Sequence, residues 1–132
     1  MKKISIIGMG YVGTAMATLV ASTKKVNGYK YFVTGIERAT KNGKSISKKI
    51  NAGILPIEIN DSNFKNKFFY ASSKKKNLVC SNSIKDIKGS KIVIVSINCD
   101  LENKMNSNVN LKSFFWMLLD MPQKNQCFQT QS

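Results

Sequence analysis

The sequence has no histidine, a single arginine and only three cysteines in 132 residues. Without histidine there is no imidazole to act as a general base, proton shuttle or metal ligand near neutral pH. Cys80, Cys99 and Cys127 are odd in number and widely spaced, with no Cys-x-x-Cys pair. Neither a metal site nor a disulfide framework is predicted, and free thiols in a reducing cytoplasm are expected. Cys80 and Cys99 adjoin apolar runs, where a thiol is more often a small buried hydrophobe than a nucleophile. Acidic residues are scarce as well: 21 Lys plus Arg face 7 Asp plus Glu, a net charge of +14. Such an excess raises the possibility of a nucleic-acid or anionic-membrane partner. Yet the cations are almost all lysine, Arg38 being the one planar fork of the kind base readers prefer. No aromatic residue interleaves with Lys48-Lys49 or Lys74-Lys75-Lys76 along the chain, so no specific nucleic-acid partner is expected. The length allows one domain with one core and excludes the two-domain layout of many cofactor enzymes.

A long uncharged stretch, Ile4 to Thr23, follows Lys2-Lys3 and superficially has the layout of an export signal or membrane span. Gly8, Gly10 and Gly13, with several hydroxyl residues, break the dense apolar core such segments use, and no membrane association is expected. Lys3 to Ile7 reads instead as a short strand. Val12, Ala15, Met16, Leu19 and Val20 then mark one apolar face of a helix, at i, i+3, i+4, i+7 and i+8. Lys24 to Lys30 reads as a loop and Tyr31 to Ile36 as a second strand. Thr40 to Asn51 is expected to be helical, and Asp61 is expected to cap a short helix carrying Phe64 and Phe68. Ala71 to Asn77 reads as a solvated lysine-rich turn, Asn77 to Ser81 as a brief strand and Ser83 to Lys88 as a turn or two of helix. Ile92 to Ile97 is an apolar, mostly β-branched run that wants cover on both faces. A last helix opens at Asn110 and ends before Pro122, and the Gln-rich residues 120–132 read as a polar tail.

Gly8-Met9-Gly10-Tyr11-Val12-Gly13 fits G-x-G-x-x-G where that motif carries meaning, directly after a strand and opening an amphipathic helix. The first glycine permits the tight turn, the second lets backbone approach a pyrophosphate, and the third lets helix and strand pack closely. Phosphates would lie on the helix N-terminus, where free N–H groups and the dipole favour an anion. Glu37 stands at the end of the second strand, 24 positions after Gly13, where a dinucleotide fold places a carboxylate for the adenosine ribose hydroxyls. A carboxylate there repels the extra phosphate of NADP, so NAD is the expected cofactor. The adjacent Arg38 could pair with such a phosphate or stack on the adenine. The fold class expected is α/β, a Rossmann-type, partial doubly wound parallel sheet of about four strands flanked by helices.

Together, Lys3 to Gly13, the segment Ile50-Asn51-Ala52-Gly53-Ile54-Leu55-Pro56-Ile57 and Ser83 to Leu101 resemble the N-terminal NAD-binding domain of the UDP-glucose/GDP-mannose dehydrogenase family. Residues 1–119 would form that domain. The resemblance implies oxidation of a nucleotide-sugar alcohol to a carboxylate in two NAD-dependent steps. It also implies cofactor contacts at Gly8, Gly10, Tyr11, Val12, Gly13, Glu37 and Arg38, and at the loop Ser96, Ile97, Asn98 and Cys99. Two departures stand out. Asn98-Cys99-Asp100 replaces the Gly/Pro-Thr-Pro segment common in that loop, and Glu37 stands where Asp is usual. The catalytic Cys, Lys and Asn implied by the resemblance would lie beyond this sequence, so no catalytic residue is assigned and the nucleotide sugar would need a missing or separate catalytic half. A truncated or frame-altered gene product is the expectation, with the strand at Ile92 left as an open edge for a protein partner. A non-enzymatic dinucleotide-binding module, a basic nucleic-acid binder and an exported protein remain as alternatives.

Overall fold

The computed structural model describes residues 1–97. The elements are β1 (Lys2–Ile7), α1 (Tyr11–Ala21), a small antiparallel ribbon of β2 (Lys24–Lys25) and β3 (Gly28–Tyr29), β4 (Tyr31–Ile36), α2 (Lys41–Asn51) and α3 (Ser62–Phe69). A π-helical turn at Tyr70–Lys74, β5 (Leu78–Ser81), a 3-10 turn at Ile84–Ile87 and β6 (Ile92–Val95) follow. The expectations for Asn98, Cys99, the helix opening at Asn110 and the tail at 120–132 lie outside the described residues.

The four longer strands form one parallel sheet in the order β5-β4-β1-β6. From β1 the chain steps outward through β4 to β5, then returns to lay β6 on the other side of β1. The order therefore reverses at β1, and in open α/β sheets the crevice beyond the strand C-termini at that switch point is where ligands bind. The α/β class and the parallel sheet of four strands agree with the expectation.

The two-residue period of the strands divides the core between the faces of the sheet. Ile4, Ile6, Val33, Leu78 and Cys80 face one way, under Ala17 and Ala21 of α1, Ile50 of α2, and Phe68 and Ala71. Ile7, Ile36 and Val93 face the other way, against Ile87 of the 3-10 turn. Thr40 and Asp61 cap α2 and α3 by accepting hydrogen bonds from the Gly43 and Phe64 N–H groups, at 3.1 Å in each case, as their side-chain chemistry predicts.

Four expectations are corrected. The fully buried face of α1 is Gly13, Thr14, Ala17, Thr18 and Ala21; of the expected stripe, Met16 and Val20 are partly buried against the core, whereas Val12 and Leu19 are exposed. The side chains fully buried under the helix are small, as its close approach to the sheet requires. The Thr14 and Thr18 hydroxyls donate to the Met9 and Thr14 carbonyls at 3.1 and 2.8 Å, which removes the penalty for burying them. Lys24 to Lys30 is a hairpin, with Lys24 opposite Tyr29 and Lys25 opposite Gly28. Gly28, at φ +104°, turns the chain there. Residues 71–77 are not a solvated turn throughout: Ala71, Ser72 and Asn77 are buried, and Asn77 Nδ2 donates to the Ala21 and Tyr31 carbonyls. Finally, Ile92 and Val95 are exposed. Among the described residues β6 is an edge strand: Val93 is buried on one face and Ile94 is partly buried against the core on the other, while Ile92 and Val95 lie open. No helix of the described residues is long and apolar enough to cross a membrane, and the stretch once resembling a span divides into β1 and α1.

Candidate functional site

The glycine turn closes the C-terminal end of β1, and its three glycines occupy unlike surroundings. Gly8 has φ +93°, and a Cβ there would collide with the Ser96 carbonyl oxygen in the segment after β6. Ser96 in turn donates its N–H to the Ile7 carbonyl at 2.7 Å. Gly8 thus lets two backbones meet at the switch point. A Cβ on Gly13 would collide with the Gly8 carbonyl oxygen, so the first turn of α1 sits directly on the loop. Gly10 differs. Its φ is an ordinary −81°, and a Cβ there would meet nothing within 4 Å.

Gly10 is also the N-cap of α1. It supplies no capping side chain, and the first turn holds no acidic residue. The first N–H groups and the positive dipole end of the helix therefore face the opening without a capping side chain from Gly10 or an acidic residue in the first turn. Tyr11 and Val12, each 63% exposed, flank this opening and give it an apolar rim.

Glu37 reaches the same place from the end of β4. Its Oε1 accepts the Met9 N–H at 2.5 Å, so the carboxylate lies across the glycine turn. The Glu37 N–H donates to the Ser81 carbonyl at 2.9 Å, and Asn82 Nδ2 donates to the Arg38 and Glu37 carbonyls at 3.0 and 3.4 Å. Arg38 is half-buried beside Glu37, and its carbonyl oxygen abuts Gly43 so closely that a Cβ on Gly43 would strike it. The structure thus brings Gly8, Gly10, Tyr11, Val12, Gly13, Glu37 and the Ser96 backbone together, while Arg38 follows Glu37 with its carbonyl turned to Asn82 and Gly43. Ile97 packs against the Ile7, Ile36, Ile87 and Val93 cluster, a place in the core.

Several residues that position the site were not singled out from the sequence. Met9, fully buried, anchors the turn: its N–H holds Glu37 and its carbonyl accepts from Thr14 Oγ1. A signal was present in Gly35, a glycine inside a strand, because a Cβ there would fall 2.7 Å from Met9 Sδ. Asn82 carried no signal. Asn51, quoted above only for the resemblance, has a physical role. Its side-chain amide donates to the Cys80 carbonyl and accepts the Cys80 N–H, both at 2.8 Å. It thereby satisfies backbone groups that β5 would otherwise leave unpaired at the sheet edge.

Cys80 itself is structural. Burial pushes its thiol up to about 11, with the Glu37 charge adding to the rise and the Ser47 hydroxyl opposing it. A thiol so raised and buried is a poor nucleophile. A groove of about 640 Å3, lined by Lys3, Lys44, Lys48 and Asp86 among others, opens beside β5, and no residue of the glycine turn lines it.

No family model matches the sequence, and no curated protein matches it. Solved structures do. The NDP-N-acetyl-D-galactosaminuronic acid dehydrogenase of Methanosarcina mazei Go1 superposes with a TM-score of 0.63 at 24% identity, over 74% of this chain and 20% of that one. A UDP-glucose dehydrogenase from Pyrobaculum islandicum gives 0.55 at 21% identity, over 75% and 20%. The UDP-D-ManNAc dehydrogenase of Pyrococcus horikoshii gives 0.58 at 22% identity, over 84% and 25%. The fold is shared with nucleotide-sugar dehydrogenases. The chain spans a fifth to a quarter of the length of these structures, so the likeness concerns the fold of one part of them.

Proposed function

We propose that this chain is the NAD-binding part of a nucleotide-sugar dehydrogenase. The observation that carries the reading is the unequal crowding of the glycine turn: Gly8 and Gly13 are closed by backbone, whereas Gly10 faces open space beside an uncapped helix start. That arrangement fits a pyrophosphate. The Gly10 to Val12 backbone and the dipole of α1 would hold the phosphates, and the second Glu37 oxygen would accept from the adenosine ribose. Tyr11 and Val12 would cover the cofactor's apolar surface, and the Ser96 segment would approach its nicotinamide half. When bound, NAD supplies the hydride acceptor for an alcohol carbon of the sugar. The described residues would bind and orient the cofactor; Cys80 among them is buried, with its thiol pushed up, and is a poor nucleophile. The proposed setting is the cytoplasm.

Thermal unfolding of the chain with and without millimolar NAD, beside NADP, tests this. A ligand that binds the folded state alone raises its stability, by about 2.7 kcal/mol at a hundredfold excess over Kd. Selective stabilisation by NAD is expected, and a melt unmoved by NAD would overturn the reading. A second reading, a dinucleotide-binding module that pairs with another chain along β6, is favoured by the exposure of Ile92 and Val95. Sedimentation as a well-behaved monomer at all concentrations would count against it.

A further inference from the structure

The run Lys74-Lys75-Lys76, which stands without interleaved aromatics along the chain, acquires them in the fold. At the N-terminal end of the sheet, the β2–β3 hairpin lies against the π-helical turn that follows α3. There the Tyr29 and Tyr70 rings meet at 6.2 Å, tilted by 46°. Lys75 Nζ stands over both, 5.7 and 6.0 Å from their centroids, and Lys74 Nζ is 5.9 Å from the Phe69 ring. Two hollows border Tyr29. One, of about 350 Å3, is lined by Lys24, Lys67 and Tyr70, with Asn66 beside them. The other, of about 320 Å3, is lined by Lys25, Lys75 and Asn77, and Asn77 Oδ1 is a buried acceptor without a hydrogen-bond partner among the described residues. No Asp or Glu lines either hollow.

We infer that this surface binds single-stranded nucleic acid without sequence preference, the tyrosine rings stacking on bases and the surrounding lysines following the phosphates. Such platforms combine a cationic track with exposed aromatic faces, because every base offers a π-face whatever its identity. Lysine supplies point charges without directional readout, which suits this role and not base-specific recognition. Separate hollows between rings and cations match a chain of planar bases better than the continuous apolar face a lipid surface requires. The surface is also remote from the glycine turn. The six residues of β1 separate the two ends of the sheet by about 20 Å at the usual strand rise.

Fluorescence anisotropy of the full chain with a labelled oligo(U) of about 16 nucleotides, the upper range of such site sizes, tests the inference. Binding is expected to exceed that of a duplex of equal length and to persist when NAD is added. Tyr29→Leu and Tyr70→Leu should each weaken it at least about fivefold, while Tyr70→Phe, which keeps the ring, should retain it. Removing Lys74 and Lys75 together should flatten the slope of log K against log salt by about 1.4, at about 0.7 per phosphate contact. Lys44→Ala with Lys48→Ala, which line the groove beside β5 and neither hollow, should leave the tyrosine dependence intact. Equal binding by the Tyr→Leu variants, equal binding of heparin and oligo(U), competition by NAD, or binding to phosphatidylserine vesicles without binding to oligo(U) would each overturn it.

Discussion

Three glycines within six residues serve three purposes, and substitution by alanine should separate them. Gly8→Ala places a side chain at positive φ against the Ser96 carbonyl and should destabilise the chain by about 1–3 kcal/mol. Gly13→Ala drives a methyl group into the Gly8 carbonyl, with a cost of similar size from overpacking. Gly10→Ala meets nothing and should leave stability within about 0.5 kcal/mol. Its effect should fall on NAD alone, abolishing the thermal shift the cofactor gives, because the new methyl group fills the space the pyrophosphate needs. Denaturant unfolding and NAD melts of the three variants read these outcomes. Cys80 allows a second prediction at this scale. Its folded pKa lies near 11, above the ordinary 9.0, so the folded state resists ionisation that the unfolded chain accepts. The stability this contributes is whole below pH 9 and is lost as the pH rises towards 11. Unfolding free energies measured across that window should fall less steeply in Cys80→Ala than in the parent chain. Parallel slopes would show that Cys80 is not the titrating group.

At the scale of elements, the sheet edge formed by β5 depends on a single side chain from another element. Asn51, in the last turn of α2, closes both hydrogen bonds of Cys80. Asn51→Ala leaves a backbone donor and acceptor unpaired in a half-buried place, and should cost about 1–3 kcal/mol. Asn51→Asp keeps the acceptor but sets a carboxylate oxygen against the Cys80 carbonyl oxygen, and should cost at least as much as alanine. If alanine were neutral by thermal melting, water would be replacing the amide and the edge would not need it. This joint explains what the sequence made legible. The strands of the main sheet, the glycine turn, the place of Glu37 at the end of β4 and the capped start of α3 were readable because each follows from local chemistry: β-branched runs, glycines at fixed offsets, and Asp61 ahead of a periodic segment. The buried face of α1 was not readable, since hydrophobicity points to Leu19 whereas closeness to the sheet selects Gly13, Ala17 and Thr18. The β2–β3 hairpin was hidden by its lysines, and the Asn51 clasp joins residues 29 positions apart. Met9 was passed over because it occupies an unconstrained place in the motif. What fixes it is the missing side chain of Gly35 in the neighbouring strand.

Over the whole molecule, the net charge of +14 and the single carboxylate of Glu37 would press the choice between NAD and NADP, on the function proposed above, in opposite directions. A positive chain attracts NADP more strongly than NAD, because NADP carries an additional phosphate, and this attraction acts through solvent over many ångströms. Glu37 acts at contact, repelling a 2′-phosphate at the place where it would accept from a ribose hydroxyl. The two effects differ in their response to salt. The Debye length falls from about 10 Å at 0.1 M to about 3 Å at 1 M, so the long-range attraction fades while the contact at Glu37 is screened far less. The preference for NAD should therefore widen as salt is raised: the NADP-induced shift in melting temperature should shrink first, with the NAD shift declining more slowly. In Glu37→Gln the preference should narrow at every salt concentration, because the charge that repels the extra phosphate is gone. Thermal shifts for both cofactors in both chains, from about 0.1 M to about 1 M salt, measure this directly. A preference that does not change with Glu37→Gln would mean that its carboxylate serves only to hold the Met9 N–H, and that selectivity resides elsewhere around the glycine turn.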